Sequence, residues 1–490
     1  MGQVVRDRAT APGDQDRVTD VRPALRRRAV AETAAQQRHA QNEGHHSHPS
    51  PVSAPSAGKS SGPVRTCARL KRPQSPLLPI FLIVLVDVLG FTIVIPLLAL
   101  FAKRFGASNL VATSIVSVYA VCSLVSTPII GNLSDRFGRK PLLLISQAGT
   151  CAGFLVLANA SALWMVFFGR ILDGLTAGNL ATAQAYISDH TKPENRAKAF
   201  GVIGVAFGVG FMFGPFLGGW LGDKYGFHAP FLLSASLSFL SIMCTWRLLP
   251  KGRPPQHDVA KPQVVGPAGK RPGLFEFSVY ADYFKRHGLG AVYLQFFLFT
   301  FAFSCFTSGF ALFGEARFGW SARQTGYMFA YAGVLGIILQ GGLIGRLVKK
   351  FGEIKLALMG FIAAVIAYVV MGFAYTLAVL LIAATVNSFG NGVLRPVLTS
   401  RITQLVGRHE QGVALGISGS LSSLAMTMAP LAGGFWLNTN NTLGWSLVAG
   451  AAALAGLIAA IQSGAAKVPP VSKLGAGTST VAPAAPEPNA

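Results

Sequence analysis

Apolar runs of about 20 residues recur along the chain from Leu77 to about residue 463. Each run is long enough to cross the roughly 30 Å hydrocarbon core of a bilayer as a helix. Helices suit this environment because they satisfy all of their backbone hydrogen bonds internally. The sequence therefore predicts an all-α integral membrane protein with twelve transmembrane helices. The predicted spans are 77–101, 109–131, 141–160, 162–186, 199–221, 229–249, 288–313, 324–346, 354–374, 377–400, 411–437 and 442–463.

The distribution of charge supports this reading. The chain is 51% hydrophobic and 12% charged, against about 25% charged residues in soluble domains. A net charge of +23 would indicate nucleic acid as the partner of a soluble protein. Here the bases cluster before residue 77 and in the loops after the second, fourth, sixth, eighth and tenth spans, with Lys103 and Arg104 as the exception. This asymmetry predicts cytoplasmic termini and no nucleic-acid partner. The bacterial inner (plasma) membrane is the expected location.

The apolar region repeats internally at an interval of about 214 residues. A glycine, a phenylalanine and a second glycine after the second span return after the eighth: Gly131, Phe137 and Gly138 match Gly345, Phe351 and Gly352. Residues 1–76 contain no aromatic residue and are predicted to be a disordered basic tail. The predicted organisation is this tail, a six-helix half over 77–250, a cytoplasmic linker over 251–287, a second half over 288–463 and a disordered tail over 464–490.

The loop over residues 131–141 combines small, acidic and basic residues. Gly131 and Gly138 permit tight turns and close helices, Asp135 can pair with a base or cap a helix, and Arg136 and Arg139 hold the loop in the cytoplasm. The segment resembles the signature between the second and third spans of the major facilitator superfamily. This resemblance implies the major facilitator fold, with two six-helix repeats, and a transporter of small molecules.

The fifth span contains a cluster of glycines around one proline. Gly210, Gly214, Pro215, Gly218 and Gly219 allow a helix to bend and to pack closely. Tight packing alone would explain the glycines, but the set also resembles the antiporter motif of the superfamily, which lies between the two halves. Over about residues 77–463 the chain is most similar to the twelve-span drug–proton antiporters that include the tetracycline exporters.

Three charged residues are predicted within apolar spans. Asp87 lies ten residues into the first span, hence about 15 Å deep. An acid at that depth must face water or a partner, or hold a proton, which makes it a candidate proton carrier; the alternative is a structural acid at a helix contact. Arg170 matches an arginine that the superfamily associates with proton coupling. Asp173 is one residue that can neutralise it, in a structural pair, and Asp87 is the other.

Polar residues inside the spans are candidates for the substrate cavity. The resemblance places the first, fourth, seventh and tenth spans around the cavity, which favours Asn179, Gln184, Gln295, Asn387 and Asn391. The seventh span is rich in phenylalanine; most of these rings are expected to pack or to face lipid, and some to form an apolar binding wall. Arg395, near the inner end of the tenth span, belongs either to the interface between halves, which is favoured, or to the site.

The favoured function is proton-coupled efflux of small lipophilic compounds or metabolites by a monomer. An uptake symporter or facilitator for a polar metabolite is the alternative, and a non-transporting receptor is a third reading. No Gly-x-x-x-x-Gly-Lys-Ser/Thr run and no catalytic constellation occur, so neither ATP hydrolysis nor an enzyme, cofactor or metal is expected. The predicted spans lack histidine and the ninth lacks an acid, which argues against tetracycline itself and favours a neutral or cationic cargo.

Overall fold

A computed structural model describes residues 77–190, 196–249, 277–286, 288–407 and 410–465. The predicted N-terminal tail, most of the linker and nearly all of the C-terminal tail lie outside these residues, as does the side chain of Asp135. The described residues are helical apart from short connections. The first half contains α1 (Leu77–Lys103), α2 (Asn109–Phe137), α3 (Arg139–Ala158), α4 (Leu163–Leu175), α5 (Asn179–His190), α6 (Arg196–Tyr225) and α7 (His228–Leu248).

The second half follows a short helix. The elements are α8 (Phe277–Lys285), α9 (Leu289–Phe318), α10 (Ala322–Ile338), α11 (Ile344–Phe351), α12 (Glu353–Gly372), α13 (Leu377–Gln404), α14 (Gln411–Asn438) and α15 (Thr442–Ala465). A π-helical turn at Leu339–Leu343 joins α10 to α11. This turn contains Gly341 and Gly342, two residues that weaken a regular helix and permit such a bulge.

Eleven helical segments in the described part of the chain are long and apolar enough to cross a membrane, with α10, the π turn and α11 counted as one. The fourth predicted span differs from this pattern, because α4 and α5 occupy its place and are only 13 and 12 residues long. The all-α membrane fold is therefore confirmed, whereas the count of twelve continuous helices is not. Many large apolar side chains remain exposed on the outside, including Trp164, Phe239 and Ile382, as expected for helices that face lipid.

The two halves show equivalent local geometry at the predicted interval. Gly138 separates α2 from α3 with φ 98° and ψ 156°, and Gly352 separates α11 from α12 with φ 75° and ψ 160°. The amide of Gly138 donates to the Ser134 carbonyl (3.1 Å), and that of Gly352 donates to the Val348 carbonyl (2.9 Å). Positive φ at these junctions explains the glycines, because a side chain would be strained there.

Two helix pairs carry most of the contact between the halves. One is α6 with α10, and the other is α2 with α14. In each pair the fifth span of one half packs against the second span of the other half. Glycines bring the backbones together in both pairs. A Cβ added to Gly326 of α10 would lie 2.6 Å from the Pro215 carbonyl oxygen, and one added to Gly434 of α14 would lie 3.3 Å from the Cα of Leu110. The halves therefore pack by close backbone approach rather than by large side chains.

These contacts concentrate at one end of the bundle. At the end opposite residues 136–140, the Asn109 amide donates to the Leu437 carbonyl (2.8 Å), and Lys103 of α1 pairs with Glu315 of α9 (2.6 Å). Toward residues 136–140, a Cβ added to Gly131 of α2, or to Gly412, Gly416 or Gly419 of α14, would meet nothing within 4 Å. Among the described residues, the bundle is thus closely packed at one end and more open at the other.

The short helix α8 is attached to the second half by an ion pair. The Arg286 guanidinium donates two hydrogen bonds, of 2.8 and 2.9 Å, to the Glu410 carboxylate just before α14. The Tyr283 ring lies under the same guanidinium, 4.3 Å from ring centroid to Cζ. These hydrogen bonds hold the pKa of Glu410 below its ordinary value of 4.5. The last turn before α9 is therefore fixed to the start of α14.

Candidate functional site

A break in the fourth span lies at the centre of the candidate site. The helix stops after Leu175 and resumes at Asn179, so the intervening backbone needs other hydrogen-bond partners at membrane depth. Hydroxyl groups of α2 and α3 supply them. Ser126 donates to the Gly174 carbonyl (2.7 Å), Thr127 donates to the Ala177 carbonyl (2.7 Å), and Ser146 donates to the Thr176 carbonyl and accepts from the Gly178 amide (2.9 Å). Side-chain hydrogen bonds therefore stabilise the break in the helix.

Asp87 faces the start of α5 across this break. Its Oδ2 accepts a hydrogen bond of 2.7 Å from the Asn179 amide, and its buried Oδ1 has no partner within the described part of the chain. Asn179 is the first residue of α5, where the helix dipole favours negative charge nearby. The structure thus brings together a predicted proton-coupling residue and a predicted cavity residue. Discontinuous helices carry the binding sites of many transporters for the same electrostatic reason.

Arg170 finds its ionic partner within its own helix, and among the described residues its buried Nε has no hydrogen-bond partner. The guanidinium forms an ion pair with Asp173, three residues along α4, and both side chains are buried. The Arg170 Cζ also lies 4.9 Å from the centre of the Tyr119 ring of α2, a cation–π contact. The Tyr119 ring in turn lies 5.9 Å from the ring of Phe91, one helical turn from Asp87 on α1. All three predicted charged residues therefore lie in one cluster, with Asp173 rather than Asp87 as the partner of Arg170.

The glycines of the predicted antiporter motif pack α6 against two helices. On the α1 side, a Cβ on Gly210 would lie 2.6 Å from Val88 Cγ1, and Gly214 and Gly218 abut Thr92 and the Ile93 carbonyl even more closely. The Gly210 carbonyl accepts a hydrogen bond from the Thr92 hydroxyl (2.9 Å). On the other side, Pro215 and Gly219 lie against α10. The motif therefore joins the first span to the second half of the molecule.

The predicted loop motif forms the turn between α2 and α3. Arg136 is exposed, and Arg139 donates a hydrogen bond of 2.7 Å to the Ser134 hydroxyl. Gly138 makes the turn itself, with its positive φ. Lys140 donates to the Trp246 carbonyl (2.7 Å), which ties the start of α3 to the end of α7.

The remaining predicted cavity residues have different surroundings. Gln184 is exposed on α5. Gln295 is fully buried and donates to the Ser463 hydroxyl (2.8 Å), so its side chain lies between α9 and α15 in this conformation. Asn391 donates to Asn387 (2.9 Å), and the two form part of a polar stripe on α13. The assignment of these residues to a cavity stays a prediction.

Sequence reasoning missed several parts of this arrangement. It did not anticipate Tyr119, Thr92 or the hydroxyls that bond to the break, because single Ser, Thr and Tyr residues in apolar spans are common. The break itself had a local signal, since Gly178 followed by Asn179 is typical of a helix boundary.

A family model and the sequences of known relatives indicate the same family for this chain. The model of the Major Facilitator Superfamily matches residues 80–430 and 341–486. The tetracycline resistance protein of class B from Escherichia coli is 31% identical over 360 residues, which cover 71% of this chain and 85% of that protein. Multidrug resistance protein 2 of Bacillus subtilis is 26% identical over 373 residues, covering 74% and 89%.

A solved structure has the same fold at lower identity. The crystal structure of the human organic anion transporter MFSD10 (TETRAN) matches with a TM-score of 0.61 and 22% identity, over 80% of this chain and 100% of that chain. At this identity the likeness concerns the fold alone.

Proposed function

Since the chain belongs to the Major Facilitator Superfamily, we propose that it is a proton-coupled exporter of small lipophilic compounds or metabolites that works by alternating access. Relatives named for tetracycline and multidrug resistance support export. The protein acts as a monomer in the bacterial inner membrane, with both termini in the cytoplasm, and moves its cargo without chemical change.

The proposed proton coupling rests on the environment of Asp87. The carboxyl group lies at membrane depth and accepts one hydrogen bond from an amide, and among the described side chains no cation bonds to it, because Arg170 is paired with Asp173. A carboxylate in such a place is costly unless water or a cation accompanies it. We infer that Asp87 takes up a proton when the cavity faces outward and releases it when the cavity faces inward.

Arg170 is the group that changes the environment of Asp87 in this proposal. Its guanidinium lies against the Tyr119 ring, and that ring packs against Phe91, one helical turn from Asp87 on α1. A shift of the guanidinium from Asp173 toward Asp87 would favour the ionised carboxylate, and a return would favour the protonated form. Two carboxylates and one arginine thus provide two alternative ion pairs.

Alternating access also requires that the helix bundle adopt two conformations. The end that carries residues 136–140 is open, and it is the cytoplasmic end if the positive loops are inside. The close backbone contacts of α6 with α10 and of α2 with α14 seal the opposite end. Export requires these glycine contacts to separate while the open end closes. The two junction glycines, Gly138 and Gly352, have similar backbone geometry, so the two halves carry equivalent turns at the open end.

Transport in proteoliposomes with an imposed pH gradient tests the proton coupling. Asp87→Asn keeps the shape and one polar contact of the side chain but cannot titrate, so it should abolish gradient-driven accumulation and spare passive exchange of cargo. Asp173→Asn is the matched control, one buried carboxyl changed to an amide in the same cluster. If Asp87→Asn responds fully to the gradient, Asp87 is not the proton carrier. If only Asp173→Asn loses coupling, the role belongs to the Arg170–Asp173 pair.

A further inference from the structure

A second charged group lies deep in the bundle without a carboxylate partner. Arg395 is nine residues before the end of α13, hence about 14 Å from the helix terminus on the open side. Its side chain is exposed and lies beside a ring of the opposite half, so it faces the space between the halves. Among residues with described side chains, no ion pair includes Arg395.

Five carboxylates elsewhere in the described chain bond to other groups, and Asp223 and Asp282 are exposed near helix ends. Asp87 bonds to Asn179, Asp173 to Arg170, Glu315 to Lys103, Glu410 to Arg286, and Glu353 to Ser400 and Gln404. A cation at membrane depth is costly unless an anion or water compensates it. Water can do so while the cavity is open. When the cavity closes around Arg395, another anion is required.

The surroundings of Arg395 indicate what that anion is attached to. The guanidinium Cζ lies 5.2 Å from the centre of the Phe207 ring, which belongs to α6 of the other half. Phe207 stacks near Phe211 (6.5 Å between centroids), and Phe211 meets Phe303 of α9 edge to face (6.2 Å). A row of rings therefore runs across the inner space beside the charge. Such a row suits a flat aromatic body.

Arg395 lies on a polar stretch of α13. Asn391 precedes it by four residues on the same face of the helix, and Asn387, one turn earlier, is buried and accepts a hydrogen bond from Asn391 (2.9 Å). The arginine fork can bond two oxygens of a carboxylate or sulfonate at once, which lysine cannot do with the same geometry. Apolar rings and a single bidentate cation are complementary to an amphipathic monoanion.

We propose that Arg395 recognises the cargo, and that the cargo is an aromatic compound with one carboxylate or sulfonate group. The inference rests on the proposed export function, and it replaces the neutral or cationic cargo that the sequence favours. It also assigns Arg395 both to the interface between the halves and to the substrate site, because the residue lies against the opposite half and faces the cavity.

Binding to the purified full chain tests the inference with two probes of equal shape. 2-Naphthalenesulfonate carries a permanent negative charge, and 2-naphthalenesulfonamide is neutral near pH 7. Equilibrium dialysis should show at least tenfold tighter binding of the sulfonate to the wild-type protein, because hydrogen bonds to a charged group are the stronger ones. Arg395→Gln should remove this preference and leave the affinity for the sulfonamide unchanged.

Two further variants control for folding and position. Arg395→Lys keeps the charge but not the fork, so it should retain a smaller preference for the sulfonate; it also serves if the glutamine variant fails to insert. Arg323→Gln makes the same change at the exposed start of α10, where the arginine bonds to Tyr327, and should leave binding as in the wild type. Equal affinity for the two probes, no binding of the sulfonate, or a preference that survives Arg395→Gln would overturn the inference.

A transport arm separates this inference from the export function. The sulfonate preference in binding tests Arg395, whereas accumulation of the bound probe under a pH gradient tests proton coupling. Selective binding without driven transport would contradict only the proposed export. Gradient-driven transport of tetraphenylphosphonium together with indifference to the sulfonate would uphold export and refute the anionic cargo.

Discussion

The glycine contact between α6 and α10 gives a quantitative prediction about the conformational equilibrium. In Gly326→Ala the new methyl carbon would lie 2.6 Å from the Pro215 carbonyl oxygen and 3.2 Å from the Cα of Gly219. Both neighbours are backbone atoms, so the two helices must move apart. Overpacking of this kind costs about 1–3 kcal/mol in the closed arrangement. The cost disappears in the alternative state, where these helix ends have separated.

The expected shift follows from this difference between states. A change of about 1–3 kcal/mol corresponds to roughly a 5- to 150-fold change in the equilibrium constant. We expect Gly326→Ala to raise the population opened at the end opposite residues 136–140 by that factor. Gly336→Ala is the matched control on the same helix, because its added methyl would meet only the flexible Gln340 amide, at 3.9 Å.

The assay uses a reporter cysteine in a variant whose five native cysteines have been replaced. Thr113→Cys is suitable, because Thr113 is fully buried where α2 meets α14. A membrane-impermeant maleimide is added from the side opposite residues 136–140. Labelling should be faster in Gly326→Ala than in the parent and unchanged in Gly336→Ala. Identical labelling rates in the two alanine variants would refute the argument that close backbone packing holds this end shut.

Three further predictions concern stability. Ser146→Ala should lower the free energy of unfolding by about 1–3 kcal/mol in a denaturation assay in detergent, because two backbone groups at the break lose their partner; an unchanged midpoint would contradict this. Gly138→Ala should destabilise by about 1–3 kcal/mol because of its positive φ, whereas Gly131→Ala, in open space within a helix, should be neutral or stabilising. Glu410→Gln should cost at most about 1 kcal/mol at neutral pH, since the pair with Arg286 is partly exposed. The lowered pKa of Glu410 means that this contribution is complete above pH 4.5 and is lost below it, so the melting temperatures of wild type and variant should converge in acid.

The sequence by itself determined the fold class and the family. Runs of about 20 apolar residues leave few alternatives to membrane helices, because lipid offers no partners for an unpaired backbone. The glycine at each repeated turn was also predictable from the sequence, and the structure gives the reason, since φ is positive at Gly138 and Gly352. The depth of Asp87 and Arg170 followed from counting residues along a helix.

Only the tertiary structure decided which of these groups meet. Hydropathy treats residues 162–186 as one span, because composition does not record that hydroxyls on α2 and α3 replace the helix bonds lost at residues 176–178. Nor could the sequence choose between two acids for Arg170. That choice depends on distances between side chains on separate helices. The exposure of Arg395 beside Phe207 has the same origin, since the two residues lie far apart in the chain and meet only across the space between the halves.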